Sequence, residues 1–391
     1  MSINYLGISR EELLIRGAIH TAKEIACQPE LWGNTFNIIE ENYEKINSFL
    51  KKVYNQRDLQ IILTGAGSSA FIGDVLEGVF QKYLGIKTSA IATTDLVTHP
   101  KYYLGYKGTL LLISFARSGN SPESLQAIQL ANLFFNNIYH IIITCNREGE
   151  IVKNSSGENT LILFMPPEAD DKGLAMTSSF TAMLLSGLLI ARIDELKDLK
   201  KQVQVLIDYG KNIIEKYVQE LKFISKQNFK RAVFLGSGIL KGIARESHLK
   251  LQELTDGKVI CKYDSFLGFR HGPKAIINED TLIVYLFSNN DYSLQYEKDL
   301  VSTINHGRRA MYSIGVLESD IDEIDLDFRL LYNNSRSTKI DEEFLTVVLV
   351  LPAQILGFFK SLELGLKPDS PSESGMITRV VQGVKIYPYK K

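Results

Sequence analysis

The chain is poor in the features that mark several protein classes. It has only three cysteines, Cys27, Cys145 and Cys261, scattered over 391 residues. They lack metal-ligand spacing and cannot frame a disulfide network, which suits a reducing compartment. Lysine plus arginine nearly balance aspartate plus glutamate, for a net charge of −1. Nothing in that balance argues for nucleic acid or an anionic membrane as partner. The first residues include Arg10, Glu11, Glu12 and Arg16 and offer no apolar core for a secretory signal, so a cytoplasmic location is expected. The longest apolar stretch, Phe344 to Phe359, is shorter than the ~20 residues of a spanning helix and reads as a buried core helix. No Walker loop, metal cluster or Ser-His-Asp order is visible, and no cofactor is called for.

What is present is a hydrophobic content of 45% with 23% charged residues, enough for a sizeable core and, at this length, two domains. Residues 1–55 predict helix, with Ser9 and Glu12 as a capping box and Leu13, Leu14, Ala18 and Ala22 at helical spacing. Strands are then predicted at Gln60 to Leu63, Thr88 to Thr93, Leu110 to Ser114, His140 to Thr144 and Leu161 to Met165, alternating with helices. A long apolar helix is expected from Ser178 to Ile193, and a charged helical linker near Asp194 to Lys222. Such alternation specifies an α/β fold with a parallel sheet covered on both faces.

The pattern recurs. Gly236 matches Gly65 at an offset of 171, Thr281 matches Thr109 at 172, and Met311 matches His140 at 171. Three strands in one register imply a duplicated fold. The expected division is 1–55, 56–205 and 215–391.

The first copy carries two hydroxyl-rich loops at strand ends. Gly65-Ala66-Gly67-Ser68-Ser69-Ala70 satisfies G-x-G-x-x-[G/A], but its paired serines suit a compact phosphate better than a pyrophosphate. Arg117-Ser118-Gly119-Asn120-Ser121-Pro122 ends the next strand, with proline opening a helix. Amides, hydroxyls and the helix dipole converge there on an anion. Arg117 reads equally as a phosphate clamp or a solvated rim charge. Thr177 and Ser178, before the long helix, read as further donors or as ordinary N-caps. The second copy has Asn289-Asn290-Asp291-Tyr292-Ser293 where the first has Arg117-Ser118-Gly119-Asn120-Ser121, and Asp291 would repel phosphate, so one anion site is expected.

The second copy offers other chemistry. Glu246 and Glu253 fall on one helix face, and His271 lies in the rigid turn Arg270-His271-Gly272-Pro273. Together Glu253 and His271 suit a general base and acid.

These stretches, GAGSS at 65–69, SFARSGNS at 114–121, ESHLKLQE at 246–253 and FRHGP at 269–273, resemble sugar isomerase (SIS) proteins with two SIS domains. SFARSGNSPES and the closing PDSPSESGMITRVVQGVKIYP resemble the AgaS family of galactosamine-6-phosphate deaminases and tagatose-6-phosphate ketose/aldose isomerases. The resemblance implies two tandem flavodoxin-like three-layer domains after an N-terminal helical segment. It implies that Gly67, Ser68, Ser69, Arg117, Ser118, Gly119 and Ser121 hold the sugar 6-phosphate, with Thr177, Ser178 and Glu246 as further contacts. Glu253 would move the proton between C1 and C2. His271 would open the sugar ring, supplied across the interface of a homodimer or higher homo-oligomer. Arg379, the third catalytic candidate, stands where synthase-type relatives carry a Schiff-base lysine, and a guanidinium cannot form that adduct. Deamination with isomerisation is the leading expectation. Isomerisation alone is the second, and a non-catalytic sugar-phosphate sensor the third.

Overall fold

The computed structural model describes residues 4–155, 157–333, 339–381 and 383–390. Its frame is two parallel five-stranded sheets. The first contains β1 (Leu59–Thr64), β2 (Thr88–Ala90), β3 (Thr109–Ala116), β4 (Asn137–Thr144) and β5 (Thr160–Phe164), in the order 2-1-3-4-5. The second contains β6 (Arg231–Gly236), β7 (Ile260–Asp264), β8 (Thr281–Leu286), β9 (Tyr312–Leu317) and β10 (Phe328–Leu331), in the order 7-6-8-9-10. The two windings are identical, and each is the doubly wound order of flavodoxin-like sheets. Every residue of β3 is buried, as a central parallel strand requires.

Strand pairing fixes the internal repeat. Leu59 pairs with Thr109 in the first sheet and Arg231 with Thr281 in the second, so both strand pairs are offset by 172. Leu110 pairs with Ile138, and Leu282 with Tyr312, so the third pair is offset by 174 rather than the expected 171. The intervening helix explains the difference: Pro122–Phe134 has 13 residues and Asp291–Asn305 has 15. Gly65 and Gly236 keep one function at their offset of 171. A Cβ on Gly65 would lie 2.6 Å from the Ser69 carbonyl oxygen, and one on Gly236 2.4 Å from that of Leu240. In both copies the first helical turn packs onto the end of the strand.

The N-terminal stretch is helical as read, apart from a two-residue antiparallel hairpin between Asn4–Tyr5 and Ile8–Ser9. The Glu12 amide donates to Ser9 Oγ at 3.2 Å, which caps Arg10–Ile15. The charged linker is one helix, Leu196–Ser225. The stretch Glu342–Glu363 is long and apolar enough to cross a membrane, but its apolar window is wholly buried inside the protein, as the sequence reading has it.

Two compact units emerge, and they do not follow chain order. One comprises residues 31–171, 178–200 and 377–391 around the first sheet. The other comprises 1–30, 172–177 and 201–376 around the second. The boundaries read from the sequence keep 1–55 apart and join 377–391 to the second domain. The structure instead divides the N-terminal helices between the units and gives the tail to the first sheet.

Candidate active site

In the unit of the first sheet, β1 and β3 are neighbours on either side of the point where the winding changes direction. That switch point is where ligands bind open parallel sheets. After β1, Gly67 turns the chain at φ +57° into the helix Ser68–Leu84. Ser68 and Ser69 form its first turn and are each only 4% exposed. After β3, the loop from Arg117 to Ser121 leads into the helix Pro122–Phe134.

This second loop is braced from behind. Asn146 Nδ2 donates to the Ser118 carbonyl at 2.8 Å, the Ile151 amide to the Gly119 carbonyl at 2.9 Å, and the Glu150 amide to Asn120 Oδ1 at 3.0 Å. Gly119 has φ +63°, and a Cβ there would stand 2.8 Å from Ile151 Cγ2, so the position admits glycine only. The Ser118 and Ser121 side chains are half-buried at the loop surface. Ser118 Oγ accepts from the Asn120 amide at 3.3 Å, and Ser121 Oγ donates to Glu123 Oε2 at 2.6 Å.

Arg117 is not a solvated rim charge. It is 7% exposed, and its Nη2 donates to the main-chain carbonyl of Arg379. The Arg379 guanidinium in turn donates through Nε to the Asp171 carbonyl at 2.7 Å and through Nη2 to Asp170 Oδ1 at 2.6 Å. The Asp171 side chain is fully buried. It accepts from the Ser178 amide at 2.9 Å and the Ser179 amide at 3.0 Å, and also from Ser179 Oγ. The first amides of this helix are thus capped by the Asp171 carboxylate. Thr177 is buried in the other unit. Asp170 and Asp171 were not singled out from the sequence, because their partners lie hundreds of positions away or are main-chain atoms.

In the unit of the second sheet, the helix Leu240–Leu254 presents Glu246, Lys250 and Glu253 together. Lys250 Nζ lies 3.3 Å from Glu246 Oε1 and 2.7 Å from Glu253 Oε2. The Glu246 and Lys250 side chains are 0% exposed, and that of Glu253 is 23% exposed. Burial alone would lower the Lys250 pKa, but the two carboxylates hold it above the ordinary lysine value. Glu246 thus meets Lys250 inside the protein. Lys250 was missed, although its i,i+4 and i,i+3 spacing from the two glutamates was a usable signal. The helix is kept close to Leu351–Glu363 by Gly357, where a Cβ would lie 2.9 Å from Leu254 Cδ1.

His271 follows the short helix Phe266–Phe269, its amide donating to the Gly268 carbonyl at 3.1 Å. The residue is exposed, and its imidazole has no hydrogen-bond partner among the described residues. Gly272, at φ +116°, and Pro273 complete the turn.

The counterpart of the Ser118 loop is closed by its own side chains. Asn290 Oδ1 accepts from the Tyr292 amide at 3.0 Å and the Ser293 amide at 3.2 Å, capping Asp291–Asn305. Behind it, Glu297 Oε2 accepts from the Ser288 amide at 2.9 Å, and Ser288 Oγ donates to Glu342. Burial raises the Glu297 pKa to about 7. Asn289 and Asn290 stand here where the first sheet has Arg117 and Ser118, with Glu297 and Glu342 bonded to Ser288 beside them, which favours a single anion site in the first copy.

Comparison with known proteins adds an independent line. Residues 52–193 match the SIS domain. The D-galactosamine-6-phosphate deaminase AgaS of Shewanella sp. (strain ANA-3) is 37% identical over 388 residues, covering 98% of this chain and 96% of that protein. The crystal structure of a Clostridium novyi NT protein assigned as a tagatose-6-phosphate ketose/aldose isomerase is 42% identical and covers all of both chains at a TM-score of 0.95. That of the Escherichia coli tagatose-6-phosphate ketose/aldose isomerase is 37% identical, covers 95% of this chain and 97% of its own, and has a TM-score of 0.87.

Proposed function

This chain belongs to the AgaS family of SIS-domain enzymes, and on that premise we propose that it deaminates and isomerises galactosamine 6-phosphate to tagatose 6-phosphate, consuming one water and releasing ammonia. The observation that carries the reading is the Glu246–Lys250–Glu253 arrangement. A buried lysine holds one carboxylate in place while leaving part of it open to solvent. That is the form of a positioned proton carrier.

The substrate phosphate is held by the main chain of Gly67 and Gly119 and the hydroxyls of Ser68, Ser69, Ser118 and Ser121. His271 assists ring opening, acting from a neighbouring subunit in a homodimer or higher homo-oligomer of the cytoplasm. Its exposed imidazole, with no partner among the described residues, supports that role. Glu253 removes the proton from C2 of the open aldose, giving an enolamine, and returns it to C1. The product is an imine at C2. Water adds to that carbon, the C–N bond breaks, and ketose and ammonia leave.

A second reading is favoured by the solved relatives named as ketose/aldose isomerases: the same proton transfer on a substrate with a hydroxyl at C2, and no nitrogen released. Ammonia release separates the two. Galactosamine and glucosamine 6-phosphates, free and N-acetylated, are incubated with the enzyme, and ammonia and ketose are measured together. Equal ammonia and ketose from galactosamine 6-phosphate is the expected result. Interconversion of tagatose 6-phosphate with its aldose and no ammonia from any amine would overturn the deaminase reading.

A further inference from the structure

The segment from Ile377 onward follows the whole second sheet in sequence but belongs to the unit of the first. Within that unit it is fixed at two places. Near its start, Arg379 grips the Asp170–Asp171 turn with its side chain, and its carbonyl receives Arg117. Near its end, Tyr389 packs on the core of the first sheet, its ring 5.6 Å from that of Phe134. Arg117 is the residue immediately before Ser118. The guanidinium at the head of the hydroxyl loop is therefore spent on the tail.

We propose that Arg379 is a positioning residue. Through Arg117 it sets the Ser118–Ser121 loop for a phosphate, so that tail docking and phosphate occupancy reinforce each other. The proposal rests on the phosphate reading of that loop. Arg117 has a planar fork of donors, and fixing one of them on a main-chain carbonyl fixes the plane of the rest. The Arg379 side chain adds a second anchor, because the turn it grips also supplies Asp171, the cap of the helix Ser178–Ala191. Without the Arg379 side chain the tail loses its grip on the Asp170–Asp171 turn, so the carbonyl that receives Arg117 is no longer held in place and the loop following Arg117 is less constrained. Coupling between two sites is reciprocal. A phosphate at the loop must therefore hold the tail as firmly as the tail prepares the loop.

The test uses full-length protein in four forms: wild type, Arg379→Ala, Arg379→Lys and the double variant Ser118→Ala with Ser121→Ala. Binding of inorganic phosphate is measured by calorimetry, and hydrogen exchange of residues 377–390 is followed with and without phosphate at ~20 times its Kd. Thermal unfolding checks that each variant is folded. Arg379→Ala is expected to weaken phosphate binding and raise KM by roughly 5- to 50-fold while kcat changes little, in the range of ordinary site coupling. Arg379→Lys, which keeps one donor toward Asp170, should recover part of the loss. Phosphate should slow tail exchange in wild type and not in the serine double variant.

If wild type binds no phosphate, or the serine variant binds it unchanged, the phosphate reading fails and the coupling with it. If the serines matter but Arg379→Ala leaves binding and tail exchange unaltered, only the coupling is overturned. If Arg379→Ala abolishes kcat at unchanged KM, Arg379 acts on the reacting atoms and the positioning role is wrong.

Discussion

The Lys250 ammonium lies 2.7 Å from Glu253 Oε2, a contact between a fully buried cation and a carboxylate that is 23% exposed. Glu246 faces the same ammonium from the interior. Two carboxylates share one cation, and only one of them reaches solvent.

Replacing Lys250 by methionine should cost about 3–5 kcal/mol of stability, because it leaves the Glu246 charge buried without its partner. Urea unfolding monitored by circular dichroism measures this. Adding Glu246→Gln should recover part of the loss. The native Lys250 pKa is raised, so its contribution is complete below the unfolded lysine value near ~10.4 and falls only as pH climbs through the folded value. Wild-type Lys250 therefore adds no slope of its own between about pH 6 and 9, whereas in Lys250→Met burial pushes the unpaired Glu246 toward its protonated form. The deficit should be largest near about pH 9 and shrink toward about pH 6, and a deficit that grows as pH falls would contradict the assignment.

Glu253→Gln keeps an oxygen for Lys250 to bond but removes the proton carrier. Turnover should fall by ~10²–10⁴ while the unfolding midpoint and the phosphate affinity stay near wild type. Steady-state kinetics beside a thermal scan decides it. A variant that turns over at the wild-type rate would transfer the role elsewhere.

Ser118→Ala combined with Ser121→Ala removes two hydroxyls from the braced loop without touching its main-chain supports. Hydrogen bonds to a charged group contribute ~1.5–3 kcal/mol each, so loss of the two should raise KM roughly 100-fold or more with a smaller effect on kcat. An unchanged KM would remove the loop from the site.

Glu297 tests the second sheet. Burial raises its folded pKa to about 7, above the unfolded ~4.3. The folded state therefore holds the extra proton between those values. The stability of that form is complete below the lower value and is lost as pH rises through about 7. Glu297→Gln should remove this slope and stabilise the protein at pH 8 by roughly 1–3 kcal/mol relative to pH 5. Melting curves at both pH values show it, and parallel shifts in wild type and variant would refute it.

Much of this architecture is legible along the chain because parallel strands are continuous apolar runs cut off by glycine and serine. All five strands of the first sheet are read that way, each with its end displaced by no more than three residues. β10 escapes because Phe328–Leu331 is four residues long and stands among the acids Asp320, Asp322, Glu323, Asp325 and Asp327. Glu253 and His271 stand out by their local settings. Lys250 is marked only by its spacing from the two glutamates, a pattern that solvated helix faces share, and its burial is what sets it apart. Arg117 and Arg379 are 262 positions apart, and no local pattern can announce that one holds the carbonyl of the other.

The assignment of residues 377–390 to the first sheet's unit has a consequence for biosynthesis. Residues up to Lys200 leave the ribosome with that unit complete except for its last piece, and the piece arrives only after residues 201–376 have been made. At ~5–20 residues per second the interval is on the order of 10–30 s. Throughout it, Arg117 and Asp170 lack the contacts that Arg379 supplies, and Phe134 lacks the ring of Tyr389. Of the supports of the hydroxyl loop, those from Asn146, Glu150 and Ile151 are thus synthesised early, and the one that reaches it through Arg117 comes last.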